Sequence, residues 1–284
     1  MGMTEQTTRY ELIERIGVGG MAEVFRARVV GAAGFAKTVA VKRILPTFSS
    51  DPDFVGRFID EARLTARLQH PNICQVLDFG VMEDRYFLAM EFVDGLDLAK
   101  ALSLLDKAEE ELPPDLCLTI VSGVLRGLST AHTAADESGV IFGIVHRDVS
   151  PHNVLLSVNG DVKLSDFGAA SAQAELRQAH TMDNVALGKL LYMAPEQRRG
   201  QPVDPRTDVH GAGVLLAEMI LGATAFRRAA TELGIDEGLL AEPISSRFPP
   251  DVSGRVATIV GRATHPRPGV RYADAASMLV DVEE

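Results

Sequence analysis

The chain has 284 residues and a mass of 30.6 kDa, enough for one large domain or two small ones. Its 46% hydrophobic and 24% charged residues are typical of a globular protein and exclude a fibrous or disordered chain. The formal net charge of −11 disfavours nucleic acid and anionic membrane surfaces as partners. Cys74 and Cys117 are too few for a disulfide framework, so we expect reduced, buried thiols and a cytoplasmic location.

No targeting signal or membrane segment is predicted. Residues 1–10 are polar and lack the apolar core of a secretion signal. Residues 209–226 are apolar but include His210, Glu218 and three glycines, at 211, 213 and 222. We therefore interpret this stretch as a helix buried in a globular unit and not as a bilayer span.

The first ninety residues are rich in strand patterns. Residues 39–44 have the β-branched content of a strand, and residues 86–90 form a second apolar run of this kind. Between them, residues 54–68 carry apolar side chains at steps of three and four, which predicts a helix that ends before Pro71. Residues 31–34 predict a hairpin turn.

Longer helical patterns follow Gly95. The apolar periodicity predicts helices over residues 116–133, 209–221 and 256–264, and the polar residues 135–139 predict a surface loop. A strand-rich front and a helix-rich back indicate two lobes joined near residues 91–95.

Two features of the front part suggest phosphate chemistry. The turn at residues 17–24 reads Gly-Val-Gly-Gly-Met-Ala-Glu-Val, and glycines let backbone N–H groups approach phosphates where a side chain would clash. Further along, Lys42 lies within an apolar strand, where burial is costly without an anion, and Glu61 on the predicted helix is the candidate partner. Each feature has an ordinary alternative, a tight turn or a lysine that faces water at a strand edge.

The decisive stretch is residues 146–153, which read His-Arg-Asp-Val-Ser-Pro-His-Asn. Asp148 and Asn153 on one loop can act as proton acceptor and metal ligand, and the hard oxygens of Asn153 and Asp166 suit Mg²⁺. Asp166-Phe167-Gly168 and then Ala194-Pro195-Glu196 follow in order. Any one of these tripeptides occurs by chance, but the ordered series does not.

With these motifs, residues 10–278 resemble the eukaryotic-type protein kinase family. In detail they resemble its bacterial serine/threonine members, with which they share the Gly-Gly-Met turn and the Met-Ala-Pro-Glu-Gln run at 193–197. The resemblance implies an α+β, bilobal fold in one kinase domain, residues 10–280. A small β-rich N-lobe with the phosphate loop and one main helix would span residues 10–93, and a larger, mainly helical C-lobe with the catalytic and activation loops would span residues 94–280.

The resemblance implies ATP and Mg²⁺ as cofactors. Lys42 would hold the α- and β-phosphates and pair with Glu61. The full nucleotide-binding set would be Ile16, Gly17, Val18, Gly19, Gly20, Met21, Ala22, Val24, Ala40, Lys42, Met90, Glu91, Val93, Asp97 and Leu155. Of these, residues 17–24 would cover the phosphates. Met90 would be the gatekeeper, and the backbone of Glu91 and Val93 would bind adenine. Ala40 and Leu155 would contact the two faces of the adenine ring, and Asp97 would reach the ribose.

The resemblance also implies the catalytic roles. Asp148 would accept or orient the hydroxyl proton of the protein substrate, and Asn153 and Asp166 would hold Mg²⁺. Asp208 would anchor the catalytic loop from the buried helix. A further ion pair would join Glu196 to Arg271.

Three positions depart from the family pattern. Ala22 replaces the third glycine of the turn, and we expect a modest stiffening. Ser150 replaces a lysine that contacts the transferred phosphate, a loss on the order of 10²–10³ in rate for comparable electrostatic groups. Lys189 replaces a threonine, so we hypothesise that it restores the missing charge beside Asp148 and include it in the catalytic set. A solvent-facing lysine on a loop is the equal alternative.

Regulation by phosphorylation is a further expectation. Arg147 is the usual receiver of an activation-loop phosphate in this family. Thr181 is the best acceptor for self-phosphorylation, with Ser171 second. The alternative for both is an ordinary polar loop residue.

The implied function is an ATP- and Mg²⁺-dependent serine/threonine protein kinase in signalling, with proteins as substrates. A pseudokinase or nucleotide-binding signalling scaffold is the main alternative, which Ser150 keeps open although the catalytic set is present. Small-molecule phosphotransferases generally lack the Ala-Pro-Glu motif and its arginine partner. Both are present here, at 194–196 and as Arg271, so this class is disfavoured. Tyrosine specificity is also disfavoured, because the arginine-bearing catalytic loop of tyrosine kinases is absent. Because the resemblance ends almost where the chain does, a linker, sensor or membrane anchor could follow in a longer protein.

Overall fold

The computed structural model describes residues 10–31, 34–136, 138–167, 190–232, 244–250 and 252–284. Its contacts divide the chain into a first unit, Met1–Gln69 with Cys74–Asp94, and a second unit, His70–Ile73 with Gly95–Glu284. The sequence expectation placed the lobe boundary between residues 93 and 94 and did not separate residues 70–73 from the first lobe. This short segment belongs with the second unit because Asn72 Nδ2 donates to the backbone oxygen of Val162 at 2.8 Å.

The first unit is an antiparallel sheet with one helix. Its helix α1 is Pro52–Thr65, and its strands in chain order are β1 (Tyr10–Val18), β2 (Ala22–Val30), β3 (Ala36–Ile44), β4 (Val76–Met82) and β5 (Arg85–Glu91). The strand order across the sheet is β1-β2-β3-β5-β4. One face of this sheet buries an apolar cluster that consists of Ala27, Val39, Val41, Met82, Phe87 and Ala89.

Local sequence accounts for helix α1. Asp51 caps its start, because its carboxylate accepts hydrogen bonds from the backbone N–H groups of Asp53 and Phe54 at 3.0 and 3.2 Å, and a proline occupies the first turn. The buried positions are Phe54, Phe58, Glu61, Ala62 and Thr65, whose spacing of three and four residues places them on one face. The helix ends three residues before the predicted end at 68.

The predicted hairpin turn at residues 31–34 joins β2 to β3. Gly31 N donates to the backbone oxygen of Phe35 at 2.8 Å, and Gly34 has a φ of 79°, which a residue with a side chain rarely adopts. Residues 32 and 33 lie outside the described ranges.

The second unit is mainly helical. Its small antiparallel sheet has the strands β6 (Gly95–Asp97), β7 (Val154–Ser157) and β8 (Val162–Leu164). Its helices are α2 (Leu98–Ala108), α3 (Pro114–His132), α4 (Pro195–Arg198), α5 (Pro205–Leu221), α6 (Ala223–Glu232), α7 (Gly254–Ala263) and α8 (Ala275–Glu283). A sheet-based unit and a helical unit confirm the α+β fold class.

Helix α5 forms the centre of this second unit. Every residue from 207 to 219 is buried, the mark of a helix surrounded by protein. Gly222, with φ 76°, ends the helix, so the apolar stretch at 209–226 is two helices and not one. A Cβ on Gly211 would lie 2.8 Å from the Cβ of Val149, so this glycine lets α5 approach the catalytic loop closely. None of the helices in the described ranges is long and apolar enough to cross a bilayer.

Candidate active site

Lys42 and Glu61 form an ion pair inside the first unit. Lys42 lies on β3, and its Nζ atom is 3.2 Å from Oε1 of Glu61 on α1. The two side chains are 15% and 7% exposed, so water screens their attraction less than it screens a surface pair. A lysine in a largely buried position needs an anionic partner, and helix α1 supplies it.

Two glycines of the turn between β1 and β2, Gly17 and Gly19, are not required by the backbone of the turn itself. Gly19 N donates to the backbone oxygen of Ala22 at 2.8 Å, and neither Gly17 nor Gly19 has a positive φ. A Cβ added at Gly17 or Gly19 would come no closer than 3.6 Å to a neighbouring atom, an ordinary contact. The first unit alone would thus accept alanine at both positions, which leaves the close approach of a ligand as a reason for glycine.

Two of the residues expected to enclose adenine are cross-strand neighbours in the first unit. Ala40 on β3 pairs with Met90 on β5, and both are buried. The backbone N–H of Glu91 donates to the oxygen of Gln75 at 2.9 Å. An adenine contact from the Glu91 backbone would therefore fall to its carbonyl oxygen. Val93 follows β5, outside any strand.

Leu155 and Asp97 lie in the second unit, opposite one another on β7 and β6. Asp97 caps helix α2, because its Oδ1 atom accepts from the backbone N–H of Lys100 at 2.8 Å. A ribose hydroxyl would therefore meet the other carboxylate oxygen of Asp97.

Asp148 and Asn153 contact one another directly. The Asn153 Nδ2 atom donates to Oδ2 of Asp148 at 2.9 Å and to the Asp148 backbone oxygen at 2.8 Å. A single 3₁₀ turn over Pro151–Asn153 brings these two residues to this distance. Because the amide nitrogen faces Asp148, the amide oxygen of Asn153 is the atom left to ligate a cation.

The buried carboxylate of Asp208 holds the start of this loop. Its Oδ2 atom accepts from His146 N at 2.7 Å, and its Oδ1 atom accepts from Arg147 N at 2.8 Å. His132 Nε2 lies 2.8 Å from Oδ2. Arg147 has a φ of 68°, an uncommon conformation outside glycine. The Asp208 hydrogen bonds, with one from Gln197 Nε2 to the Arg147 oxygen at 2.7 Å, hold this backbone in place.

The ring of His146 connects the loop to the segment that carries Asp166. Its Nε2 atom is 2.9 Å from the backbone oxygen of Ser165, and its Nδ1 atom accepts from Asp148 N at 3.2 Å. Because Nδ1 accepts, the proton of the neutral ring belongs on Nε2. The ring also packs on Phe167, with centroids 4.6 Å apart. Asp166 lies between Ser165 and Phe167 in the chain and has a φ of 56°. It is, after Arg147, the second residue of the site with a left-handed backbone conformation.

The donor set suits a cation that takes some of its ligands from the protein and the others from a bound substrate. Within the part of the chain that the structure describes, no three His, Cys, Asp or Glu side chains have the arrangement to hold a metal by themselves. Asn153 and Asp166 would supply two hard oxygens. Mg²⁺ commonly takes one or two protein oxygens and completes its shell with phosphate and water, so the residues present fit this ion.

Glu196 and Arg271 form the expected buried pair. The guanidinium donates to the two carboxylate oxygens at 2.7 and 3.0 Å, and Thr207 Oγ1 donates to Oε1 at 3.0 Å. Burial alone would raise the pKa of Glu196. The hydrogen bonds and charge of Arg271, with a backbone hydrogen bond and one from Thr207, outweigh it and lower that pKa below its ordinary 4.5. Removing one partner of such a pair costs about 3–5 kcal/mol.

Ser150 leaves the loop without the family's lysine charge. It is 1% exposed, and its Oγ atom has no hydrogen-bond partner among the described residues. Lys189, the residue expected to compensate, lies outside the described ranges, as do the two expected phosphorylation sites, Thr181 and Ser171.

The sequence analysis did not find the contact between Tyr192 and Glu218. The tyrosine hydroxyl donates to Glu218 Oε2 at 2.6 Å in a buried position on α5. Burial raises the pKa of Glu218 to about 7, partly offset by the Tyr192 hydrogen bond and by Arg227. The available signal was a glutamate in the apolar stretch at 209–226, since a buried carboxylate requires a donor.

A sheet whose helix pairs a glutamate with a strand lysine, and a helical unit whose buried aspartate holds a His-Arg-Asp loop, define a protein kinase catalytic domain. The model of the protein kinase domain family matches residues 10–279, and the chain belongs to this family. The crystal structure of the Mycobacterium tuberculosis PknI kinase domain is similar, with a TM-score of 0.71 and 27% identity. That match covers 100% of this chain and 99% of the other.

Curated bacterial relatives confirm the eukaryotic-like bacterial type. The chain is 39% identical to the tyrosine-protein kinase MasK of Myxococcus xanthus and covers 42% of its length. It is 32% identical to the serine/threonine-protein kinase PrkC of Bacillus subtilis and 33% to PknB of Mycolicibacterium smegmatis, of which it covers 40% and 42%. Each match includes 96–97% of this chain. The chain thus spans about two fifths of the length of these relatives, and its family uses ATP and a divalent metal ion.

Proposed function

We propose that the chain transfers the γ-phosphate of ATP, with Mg²⁺, to serine and threonine hydroxyls of proteins. The observation that carries this proposal is the pair formed by Asp148 and Asn153, with 2.9 Å between the carboxylate and the amide nitrogen, on a loop that Asp208 fixes from a buried helix. Phosphoryl transfer needs alignment and charge more than covalent help from the protein, and a rigid loop supplies alignment.

In the first unit, Lys42 would hold the α- and β-phosphates. Its ion pair with Glu61 sets the direction of the side chain and fixes it at one point along β3. The turn at 17–24 would present backbone N–H groups to the phosphates, and the absence of any steric need for Gly17 and Gly19 within the unit supports that role.

In the second unit, Asp148 would accept or orient the proton of the acceptor hydroxyl. Asn153 would offer its amide oxygen to the metal, and Asp166 would offer its carboxylate. Bound Mg²⁺ would neutralise charge on the phosphates during transfer. The remaining nucleotide contacts, Met90 and Val93 among them, stay proposals carried over from the family.

Tyrosine is the second candidate acceptor. The name of MasK, at 39% identity, is the observation in its favour. The loop at 146–153 favours serine and threonine as acceptors. Although it contains Arg147, it does not have the arginine-bearing sequence that is typical of the catalytic loop of tyrosine kinases. Analysis of the phosphorylated amino acids in an acid hydrolysate of the product distinguishes the two.

We further propose self-phosphorylation at Thr181 or Ser171 and a cytoplasmic place of action. A phosphate on either residue would pair with Arg147. Cys74 and Cys117 are both free and buried, which fits a reducing compartment. Active protein without phosphate on either residue, found by mass spectrometry, would contradict the first of these proposals.

The experiment that tests the function is transfer of labelled γ-phosphate to the chain itself and to a generic protein substrate. We expect transfer by the wild type, none by Asp148→Asn, and wild-type transfer by the control Asp115→Asn, an exposed aspartate on α3. Calorimetry with ATP and Mg²⁺ accompanies the assay. Nucleotide uptake without transfer would indicate a signalling scaffold. The absence of both uptake and transfer would overturn the proposal.

A further inference from the structure

A network of five charged side chains lies in the first unit, beside the glycine-rich turn. Its members come from four strands and one turn: Arg15, Glu23, Arg43, Glu83 and Arg85. Glu23 is its central anion and is 8% exposed, and Arg43 is 7% exposed. Buried charges of this kind need partners, and each of the two has more than one.

Glu23 receives most of the hydrogen bonds of this network. Its Oε1 atom accepts from Nε and Nη2 of Arg43 at 3.3 and 3.0 Å and from Nη1 of Arg85 at 3.1 Å. Its Oε2 atom lies 3.9 Å from Nη1 of Arg15. The Arg43 guanidinium also lies 5.0 Å from the centroid of the Phe25 ring. Because three hydrogen bonds and one ring contact hold these groups, the side chain of Glu23 has one defined position.

The network lies on the opposite face of the sheet from Lys42. Glu23 is paired with Val18 on β1 and with Arg43 on β3, while its neighbour Val24 is paired with Lys42. Successive residues of a strand point to opposite faces, so Glu23 and Arg43 share one face, and Val24 and Lys42 share the other. The network therefore binds the end of the turn to the strand that carries the phosphate-binding lysine, without occupying the lysine's face.

We infer that Glu23 is a positioning residue for nucleotide binding, which holds the turn at 17–24 in register with Lys42. This inference rests on the proposed function. A Cβ at Gly17 or Gly19 would meet one atom within 4 Å, at 3.8 and 3.6 Å, so close packing does not fix the turn at these two residues. An ion-pair network at the end of the turn supplies the constraint that the glycines do not.

The inference predicts a selective loss of nucleotide affinity. We expect Glu23→Gln to raise KM for ATP roughly tenfold with kcat nearly unchanged, below the ~100-fold that a 1 Å misplacement can cost. The matched control is Glu14→Gln, which removes an exposed ion pair with Arg26 between the same two strands, β1 and β2. Its KM should stay at the wild-type value.

A second variant separates positioning from folding, because Glu23→Gln removes the buried carboxylate partner of Arg43 and leaves it paired with Glu83, which is exposed. The double variant Glu23→Gln/Arg43→Met removes both charges, a change that is often nearly neutral for stability. A wild-type KM in both variants, at a wild-type melting temperature, would overturn the inference. A raised KM at wild-type stability, in either variant, supports it. If calorimetry shows that the wild type itself does not take up ATP, that result would instead contradict the proposed function.

Discussion

The backbone N–H of His146 donates a 2.7 Å hydrogen bond to the buried carboxylate of Asp208, a residue 62 positions further along the chain. With the parallel bond from Arg147, it makes the conformation of the catalytic loop depend on helix α5. A carboxylate suits this task because each of its oxygens only accepts hydrogen bonds, so it can serve both backbone donors together.

Asp208→Asn should damage both stability and activity. The amide has one accepting oxygen, so one of the two backbone donors would face an NH₂ group and stay unsatisfied, at about 1–3 kcal/mol of unfolding free energy. We expect urea denaturation to show this loss, and kcat to fall because Arg147 is no longer held. Asp204→Asn is the control, because Asp204 caps the same helix and asparagine caps as well as aspartate. Wild-type kcat in Asp208→Asn would contradict the prediction.

Gly19→Ala should weaken nucleotide binding without weakening the fold. The added methyl group would meet only an ordinary contact at 3.6 Å within the unit, so the melting temperature should stay near that of the wild type. A phosphate that approaches the backbone would meet the methyl group, so KM for ATP should rise several-fold. Gly254→Ala, which adds a methyl group in open space at the start of α7, should leave KM for ATP unchanged. An unchanged KM in Gly19→Ala would remove the steric argument for this turn.

Glu218→Gln should stabilise the protein more at pH 8 than at pH 5. Burial raises the pKa of Glu218 from 4.5 to about 7, so between these values the folded state keeps a proton that the unfolded state has released. Wild-type stability therefore falls as the pH rises through this window, by an amount on the order of 3 kcal/mol, and is level above it. Glutamine avoids this loss and still accepts from Tyr192. Urea denaturation at the two pH values measures the difference, and an equal effect at both would refute the raised pKa. The exposed Glu111→Gln is the control.

Lys189→Ala tests whether this lysine replaces the charge that Ser150 lacks. If it does, kcat should fall about 10²-fold, the size expected for a group that stabilises transition-state charge. The exposed Lys107→Ala should have no effect. Restoring the family's lysine in the variant Ser150→Lys/Lys189→Ala should recover part of the loss. An unchanged kcat in Lys189→Ala, beside an inactive Asp148→Asn, would identify Lys189 as an ordinary loop residue.

The linear sequence determined the strands β3 and β5, the helices α1, α3, α5 and α7 and the candidate residues, because these depend on spacing. Apolar residues at steps of three and four predicted α1 and α3. The ordered motifs predicted that Asp148, Asn153 and Asp166 belong to one catalytic site. The resemblance to kinases added Asp208 and the Glu196 pair, which periodicity alone would not have found.

The pairs Lys42–Glu61 and Glu196–Arg271 were expected before the structure, but only the tertiary structure decided which other polar groups meet. Glu23 and Arg85 lie 62 residues apart in the chain, and Tyr192 and Glu218 lie 26 apart, with no local pattern that joins either pair. Such contacts depend on strand register and on how helices pack, and a shift of one residue in register would turn Glu23 to the other face of the sheet. Burial then sets the pKa of Glu218, because a carboxyl group whose ordinary pKa is 4.5 reaches about 7 when solvent is excluded.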